Sequence, residues 1–144
     1  MVKTSTHKQA RVLVVDDHGL FLNFVSGILR QHPHVVIIGE VQDGVMAVQQ
    51  AEALRPDIIL LDIGLPKLNG IDAAHQIRST VPQARIVFLT SESSPDVVQE
   101  ALNLGAWGYV EKICAGQELL SAITTVLNGE RFLSSGVREY HLAG

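Results

Sequence analysis

Four apolar runs in this chain lead into polar residues that could do chemistry. Val12-Leu13-Val14-Val15 runs into Asp16-Asp17, and Ile58-Ile59-Leu60-Leu61 runs into Asp62. Ile86-Val87-Phe88-Leu89 ends at Thr90, and Gly108-Tyr109-Val110 is followed closely by Lys112. If the first and third runs are neighbours, Asp62 joins the Asp16-Asp17 pair. Three close carboxylates cannot all stay ionised unless something positive compensates. A hard divalent ion with oxygen ligands answers that need. Mg²⁺ fits best, because it takes one or two carboxylates and keeps waters or phosphate oxygens. Lys112 adds a fixed positive charge and Thr90 a hydroxyl. The set suits a phosphoryl group arriving on a carboxylate, its charge neutralised by metal and lysine and one oxygen bonded by the hydroxyl. The nucleophile is then an Asp, and the product an aspartyl phosphate.

A nucleotide site is not expected. The loop after the first run reads Asp16-Asp17-His18-Gly19-Leu20, and the chain has neither Gly-x-x-x-x-Gly-Lys-Ser/Thr nor Gly-x-Gly-x-x-Gly. Two adjacent carboxylates repel a phosphate, whereas a phosphate cradle needs a Gly-rich loop with exposed backbone N–H groups.

The elements that must carry these residues follow from the pattern. The apolar runs, with Val35-Val36-Ile37-Ile38 as a fifth, lack alternation, as strands covered on both faces do. Between them lie helical stripes: Leu20, Phe21, Phe24, Val25, Ile28, Leu29; then Val45, Val48, Ala51, Leu54; then Ile71, Ala74, Ile77; then Val97, Val98, Ala101, Leu104; then Leu119, Leu120, Ile123, Val126, Leu127. Ser94-Pro95-Asp96 reads as a helix start, and Gly105 and Gly129 stand where helix ends want glycine. Pro33, Pro56 and Pro82 fall in connections before strands. The reading is a five-fold (βα) alternation. Right-handed crossovers make it an open, doubly wound parallel sheet with helices on both faces. Ligands bind such sheets beyond the carboxyl ends of the strands, which is where all the polar residues fall.

Composition bounds the rest. The 144 residues fit one domain and are long enough to bury a core without disulfide or metal. A net charge of −4 argues against a protein that coats nucleic acid. The single cysteine, Cys114, excludes a disulfide framework or a Cys-rich zinc site and is expected to be an inert thiol. No apolar run approaches a membrane span, and residues 1–10 lack the apolar stretch of a secretory signal, so a cytoplasmic protein is expected.

Asp16-Asp17, Asp62, Thr90 and Lys112 together resemble the receiver domain of two-component response regulators. The flanking text is similar too: Val14-Val15-Asp16-Asp17, Leu61-Asp62-Ile63-Gly64-Leu65-Pro66 through Asn69-Gly70, and Gly105-Ala106-Trp107-Gly108-Tyr109-Val110-Glu111-Lys112. The resemblance runs from about Arg11 to Asn128. It implies a flavodoxin-like sheet of order 2-1-3-4-5, with residues 1–10 as a flexible segment, 11–128 as the receiver and 129–144 as a linker or the start of a linker helix. It implies that Asp62 accepts a phosphoryl group from a sensor histidine kinase or a small phosphodonor. Asp17, Asp62 and the Gly64 carbonyl would hold Mg²⁺ (Mn²⁺ as substitute), with Asp16 acting through water. Lys112 would pair with the phosphoryl oxygens. Thr90 and Tyr109 would act as switch residues that shift the face of helix 4, strand 5 and helix 5.

Asp-Asp-His after the first strand and Asn128-Gly129-Glu130-Arg131-Phe132-Leu133-Ser134 resemble the NarL/LuxR-type subgroup, in which the receiver precedes a helix-turn-helix. The residues after Glu130 show no recognition-helix pattern, so DNA would be reached only through a domain outside this chain. The expected role is the switch of a transcriptional regulator, and a stand-alone receiver is the alternative. An aspartyl-phosphate phosphatase would carry Asp-x-Asp and a cap domain, and a degenerate interaction module would have lost members of the set. Ile113 stands where many receivers have proline.

Other residues carry weaker expectations. Trp107, two residues before Tyr109 and so expected on the same strand face, is a candidate partner or homodimer surface. His18 lacks a second ligand-type neighbour of its own kind and reads as a loop residue. His75 lies on a sheet-flanking helix, which is the wrong setting for phosphotransfer. Gly64 and Glu92, each two residues beyond a site residue, are expected to tune the phosphoryl lifetime.

Overall fold

The computed structural model describes residues 9–138. The elements are β1 (Ala10–Val15), α1 (Gly19–Leu29), β2 (Val35–Val41), α2 (Gly44–Leu54), β3 (Ile58–Leu61), α3 (Gly70–Thr80), β4 (Arg85–Thr90), α4 (Pro95–Asn103), β5 (Gly108–Glu111), α5 (Ala115–Leu127) and β6 (Phe132–Leu133). A 3₁₀ turn, Lys112–Cys114, joins β5 to α5. All strand pairs are parallel, in the order β2-β1-β3-β4-β5-β6. The expected five strands are present in the expected order. The sixth, at Phe132–Leu133, lies in the segment read as linker and was not foreseen. Of the N-terminal segment 1–10, only Gln9 and Ala10 are described, and Ala10 already belongs to β1.

Burial explains the architecture. Successive strand residues alternate between two apolar clusters. Leu13, Val15, Ile59, Leu61, Ile86, Phe88 and Tyr109 join α2, α3 and α4 on one face. Val12, Val14, Ile58, Leu60, Val87, Leu89 and Val110 join α1 and α5 on the other. β1, β3 and β4 are buried on both faces, hence their unbroken aliphatic text. β2 departs from that reading. It is an edge strand, and only Val35 and Val41 of its seven residues are buried.

Two helices turn a different face to the sheet than their stripes suggest. α1 buries Leu22, Val25, Ser26 and Leu29, while Leu20 is 88% exposed and Phe24 49%. α1 is apolar on several faces, so periodicity alone could not choose one. On the buried face the Ser26 hydroxyl donates to Glu40 Oε2 at 2.5 Å, tying α1 to β2. α2 buries Gly44, Ala47 and Ala51 and leaves Val45 exposed, because small residues let it sit close to the sheet. In α3, Ile71, Ala74 and Ile77 are buried as expected. Pro95 opens α4, and Gly105 and Gly129 adopt φ of 91° and 84° just past α4 and α5, a left-handed geometry glycine takes without strain. Among the described residues, no helix is long and apolar enough to cross a membrane.

Candidate functional site

The site lies at the carboxyl edge of the sheet. β1 and β3 are hydrogen-bonded neighbours, with Val15 opposite Leu61, so the residues that follow them meet. Asp16 and Asp62 are nearly fully buried, at 3% and 4% exposure. Oxygens of Asp16, Asp17 and Asp62 and a ring nitrogen of His18 lie within 4.8 Å of one another. Lys112 reaches in from the end of β5, its Nζ 2.8 Å from Asp16 Oδ2 and 3.1 Å from Asp62 Oδ2. Burial weighs against the ammonium, but its hydrogen bonds to the two carboxylates outweigh this and hold the lysine pKa above its ordinary value.

Local backbone aims each acid. Asp16 Oδ1 accepts from the His18 amide at 2.9 Å, which closes the loop ahead of α1. Asp62 Oδ1 accepts from the Ile63 amide at 2.7 Å, so this carboxylate is gripped on both oxygens. Asp17 differs: its Oδ1 is buried without a hydrogen-bond partner, and the His18 Nδ1 at 3.2 Å is an ion-pair partner only when that ring is protonated. Buried oxygens are normally satisfied, so an orphan beside two further carboxylates marks a place for a cation. Gly64 is exposed two residues beyond Asp62, in the loop between β3 and α3.

Thr90 and Tyr109 stand at the other flank, in paired strands. Thr90 is 1% exposed, and its Oγ1 accepts from the Glu92 amide at 3.1 Å. The Tyr109 hydroxyl donates to the Glu92 carbonyl, with the ring turned into the core beside Phe88. Burial, reinforced by Glu92, Glu111 and Asp62, pushes the phenol pKa up, so it stays a donor at neutral pH. Both side chains thus hold one backbone unit at the start of the β4–α4 loop.

Four of the expected site residues therefore meet, Asp16, Asp17, Asp62 and Lys112, while Thr90 stands at the same sheet edge bonded to the Glu92 amide. Trp107 does not join them and is corrected in its placement. It does not share a face with Tyr109: just before β5 its amide and carbonyl pair with Ile86 and Phe132, and its ring packs with the apolar cluster on the other side of the sheet from Tyr109. Trp107 packs on the α1–α5 side, with the Arg85 guanidinium 4.3 Å and that of Arg131 5.0 Å from its ring centre. His75 is exposed on α3, and Cys114 caps α5 without a side-chain cap bond.

One site neighbour escaped the sequence reading. The Lys112 ammonium lies 4.7 Å over the ring of Phe21. Phe21, with Leu20, Phe24, His18 and Ser91, walls an open, mostly apolar pocket against Lys112. Leu20 and Ile113, at 88% and 90% exposure, are among the large apolar residues most open to solvent. The available signal was an excess of apolar residues over what one buried helix face can hold.

The model of the response regulator receiver domain matches residues 12–124 of the chain. The chain belongs to the response regulator receiver family. Its relatives are regulators of the NarL/LuxR type. The chain is 35% identical over 127 residues to the transcriptional regulatory protein MctR of Rhizobium johnstonii, covering 88% of this chain and 59% of that protein. It is 32% identical to the nitrate/nitrite response regulator NarL of Escherichia coli, covering 92% and 62%. A LuxR-family response regulator from Aurantimonas superposes with a TM-score of 0.87 at 30% identity, covering 92% of this chain and 95% of that one. The receiver thus spans about three fifths of the length of the curated relatives it matches. Receiver domains bind Mg²⁺ at an acidic site, and this receiver has the acidic cluster, with an orphaned oxygen in it. Its family is a signalling family rather than one of catalytic enzymes.

Proposed function

We propose that this receiver is a phosphorylation switch in which Asp62 is the acceptor. A carboxylate oxygen of Asp62 attacks the phosphorus of a phosphohistidine, the P–N bond breaks, and an aspartyl phosphate forms as the imidazole leaves. The observation that carries this reading is Asp62 itself, buried, gripped by the Ile63 amide on one oxygen and by Lys112 on the other. The Ile63 amide and Lys112 hold the carboxylate in one orientation, which lowers the entropic cost of attack. Lys112 moves its charge from carboxylate to phosphoryl oxygens as these arrive. The Thr90 hydroxyl, at the end of β4, would turn from the Glu92 amide to bond one of those oxygens. Asp17, Asp62 and the Gly64 carbonyl would hold Mg²⁺, with Asp16 behind a water. The ion would neutralise charge on the transferring group. The all-oxygen donor set fits Mg²⁺, and nothing in it favours Mn²⁺.

The donor is a sensor histidine kinase. The exposed apolar residues Leu20 and Phe24, which line a pocket against Lys112, support a protein donor, since such a patch beside a polar site suits docking. The names of the relatives support a transcriptional output through a DNA-binding domain outside this chain, the DNA-bound dimers of the similar regulator RcsB support a second copy as a further partner, and we place the switch in the cytoplasm.

The test is incubation with acetyl phosphate and Mg²⁺, followed by intact-mass measurement. The expected outcome is a gain of one phosphoryl group that is absent in Asp62→Asn and in chelator. Steady consumption of the phosphodonor without accumulation would point to an enzyme. No uptake at all would leave only a protein-interaction module.

A further inference from the structure

The last described residues do not behave as a tether. Phe132 and Leu133 pair with Gly108 and Tyr109 as a sixth parallel strand. The amide of Ser134 donates to the Tyr109 carbonyl at 2.9 Å. The Ser134 side chain is fully buried, its hydroxyl donating to Glu118 Oε1 at 2.6 Å and accepting from the Glu111 amide at 3.0 Å. Residues 135–138 are helical, and the Val137 amide donates back to the Ser134 carbonyl at 2.9 Å. Val137 is 0% exposed. It belongs to the same apolar cluster as Val98, Ala101 and Leu104 beside α4 and Tyr109 in β5.

These contacts complete a continuous path. Thr90 Oγ1 holds the Glu92 amide, the Glu92 carbonyl holds the Tyr109 hydroxyl, and the Tyr109 carbonyl holds the Ser134 amide. One backbone unit, Glu92, is thus shared between a side chain of the acidic site and the ring packed in Val137's cluster.

We propose that residues 131–138 are the readout element of this receiver, so that the state of Asp62 leaves the domain as a change in how firmly Ser134 and Val137 hold to β5 and the α4 face. The inference rests on the reading of Asp62 as phosphoacceptor. When Thr90 turns to the phosphoryl group, its bond to Glu92 is redrawn, and the Tyr109 hydroxyl follows the carbonyl it holds. Close-packed interiors do not deform continuously, so a ring displaced within the apolar cluster that holds Val137 is answered by a discrete repacking of that cluster. The covalent continuation of the chain beyond Arg138 then carries the shift outward. The physical requirement is a two-state element biased from both ends, and the docked and loosened forms of 131–138 supply it.

The experiment is hydrogen exchange, resolved by residue, on the full chain with Mg²⁺, with and without beryllofluoride as the phosphoryl analogue. Fluorine NMR on the same samples reports whether the analogue is bound. The expected result is a change of about fivefold or more in exchange at Ser134 and Val137 on loading, absent in Asp62→Asn. Linkage requires the converse: Val137→Ala, checked for folding by circular dichroism, should alter the affinity for beryllofluoride by a similar factor. Loading with unaltered exchange across 132–137 in the wild-type chain overturns the readout while leaving Asp62 as acceptor. No loading in the wild-type chain overturns both.

Discussion

Among the described residues, Asp16, Asp17 and Asp62 face one ammonium, that of Lys112, so without a cation the cluster carries surplus negative charge. Asp17 bears most of that cost, because its buried oxygen has no hydrogen-bond donor. Asp17→Asn should therefore stabilise the metal-free fold by about 1 kcal/mol, and should abolish the further stabilisation that Mg²⁺ confers. Thermal melts in chelator and in Mg²⁺ measure both effects; a loss of stability in chelator would contradict the repulsion account. At the same scale, Phe21 offers its ring to an ammonium whose other contacts are the carboxylates of Asp16 and Asp62. Such a contact is worth about 0.5–1 kcal/mol, so Phe21→Leu should slow phosphorylation by acetyl phosphate about two- to fivefold. Phe21→Trp, which keeps a π-face, should not. The ring-current shift on the Lys112 side chain, read by NMR, should disappear in the leucine variant alone.

At the scale of elements, the β3–α3 loop is held by the starts of two helices. The Gly70 amide donates to the Ile63 carbonyl at 2.7 Å, and a methyl group on Gly70 would collide with the backbone of Asp62 and Ile63. A methyl on Gly44, the first residue of α2, would collide with the Leu68 carbonyl on the same loop. Lys67, between them, takes a left-handed φ of 69°, a conformation a lysine adopts only at some cost. The loop is thus pressed into place rather than intrinsically shaped. Gly70→Ala should destabilise the fold by about 1–3 kcal/mol, and should also weaken Mg²⁺ binding by moving Asp62 and Gly64. Chemical denaturation with and without Mg²⁺ separates the two effects. The motif containing Asn69-Gly70 was legible in the sequence. Its physical cause was not, because a close approach of two backbones leaves no trace in the residue type beyond the glycine. The faces of α1 and α2 were illegible for a related reason. Where apolar residues surround a helix, only its neighbours select the buried stripe.

Across the whole molecule, the end of the sheet opposite the acids carries its own pH dependence. His32 Nδ1 accepts from the His34 amide at 3.1 Å, so the neutral ring holds its proton on Nε2 and donates to Thr124 Oγ1 at 3.0 Å, bridging the α1–β2 loop to α5. Burial, with the neighbouring His34, lowers the His32 pKa from 6.5. The unfolded chain then binds the proton first. This contribution to stability is intact above pH 6.5 and is lost as the pH falls toward the depressed folded value. His32→Gln should flatten the acid limb of the stability profile measured by thermal melts, and an unchanged limb would remove His32 from the account. Lys112 behaves in the opposite sense. Its raised pKa keeps its ion pairs through neutral pH and loses them only in strong alkali.

By itself the sequence determined the alternation of strands and helices, the parallel sheet and the edge where Asp16, Asp17, Asp62, Thr90 and Lys112 collect. Those follow from local signals: aliphatic runs of strand length, turn residues between them, and the rule that parallel strands end on one side. Tertiary structure alone decided which faces of α1 and α2 are buried, that two arginines meet the ring of Trp107, that Phe21 backs Lys112, and that Phe132–Leu133 returns as a sixth strand. Each of these depends on residues far apart in the chain competing for one place, and the winner is set by packing and by which polar groups find partners.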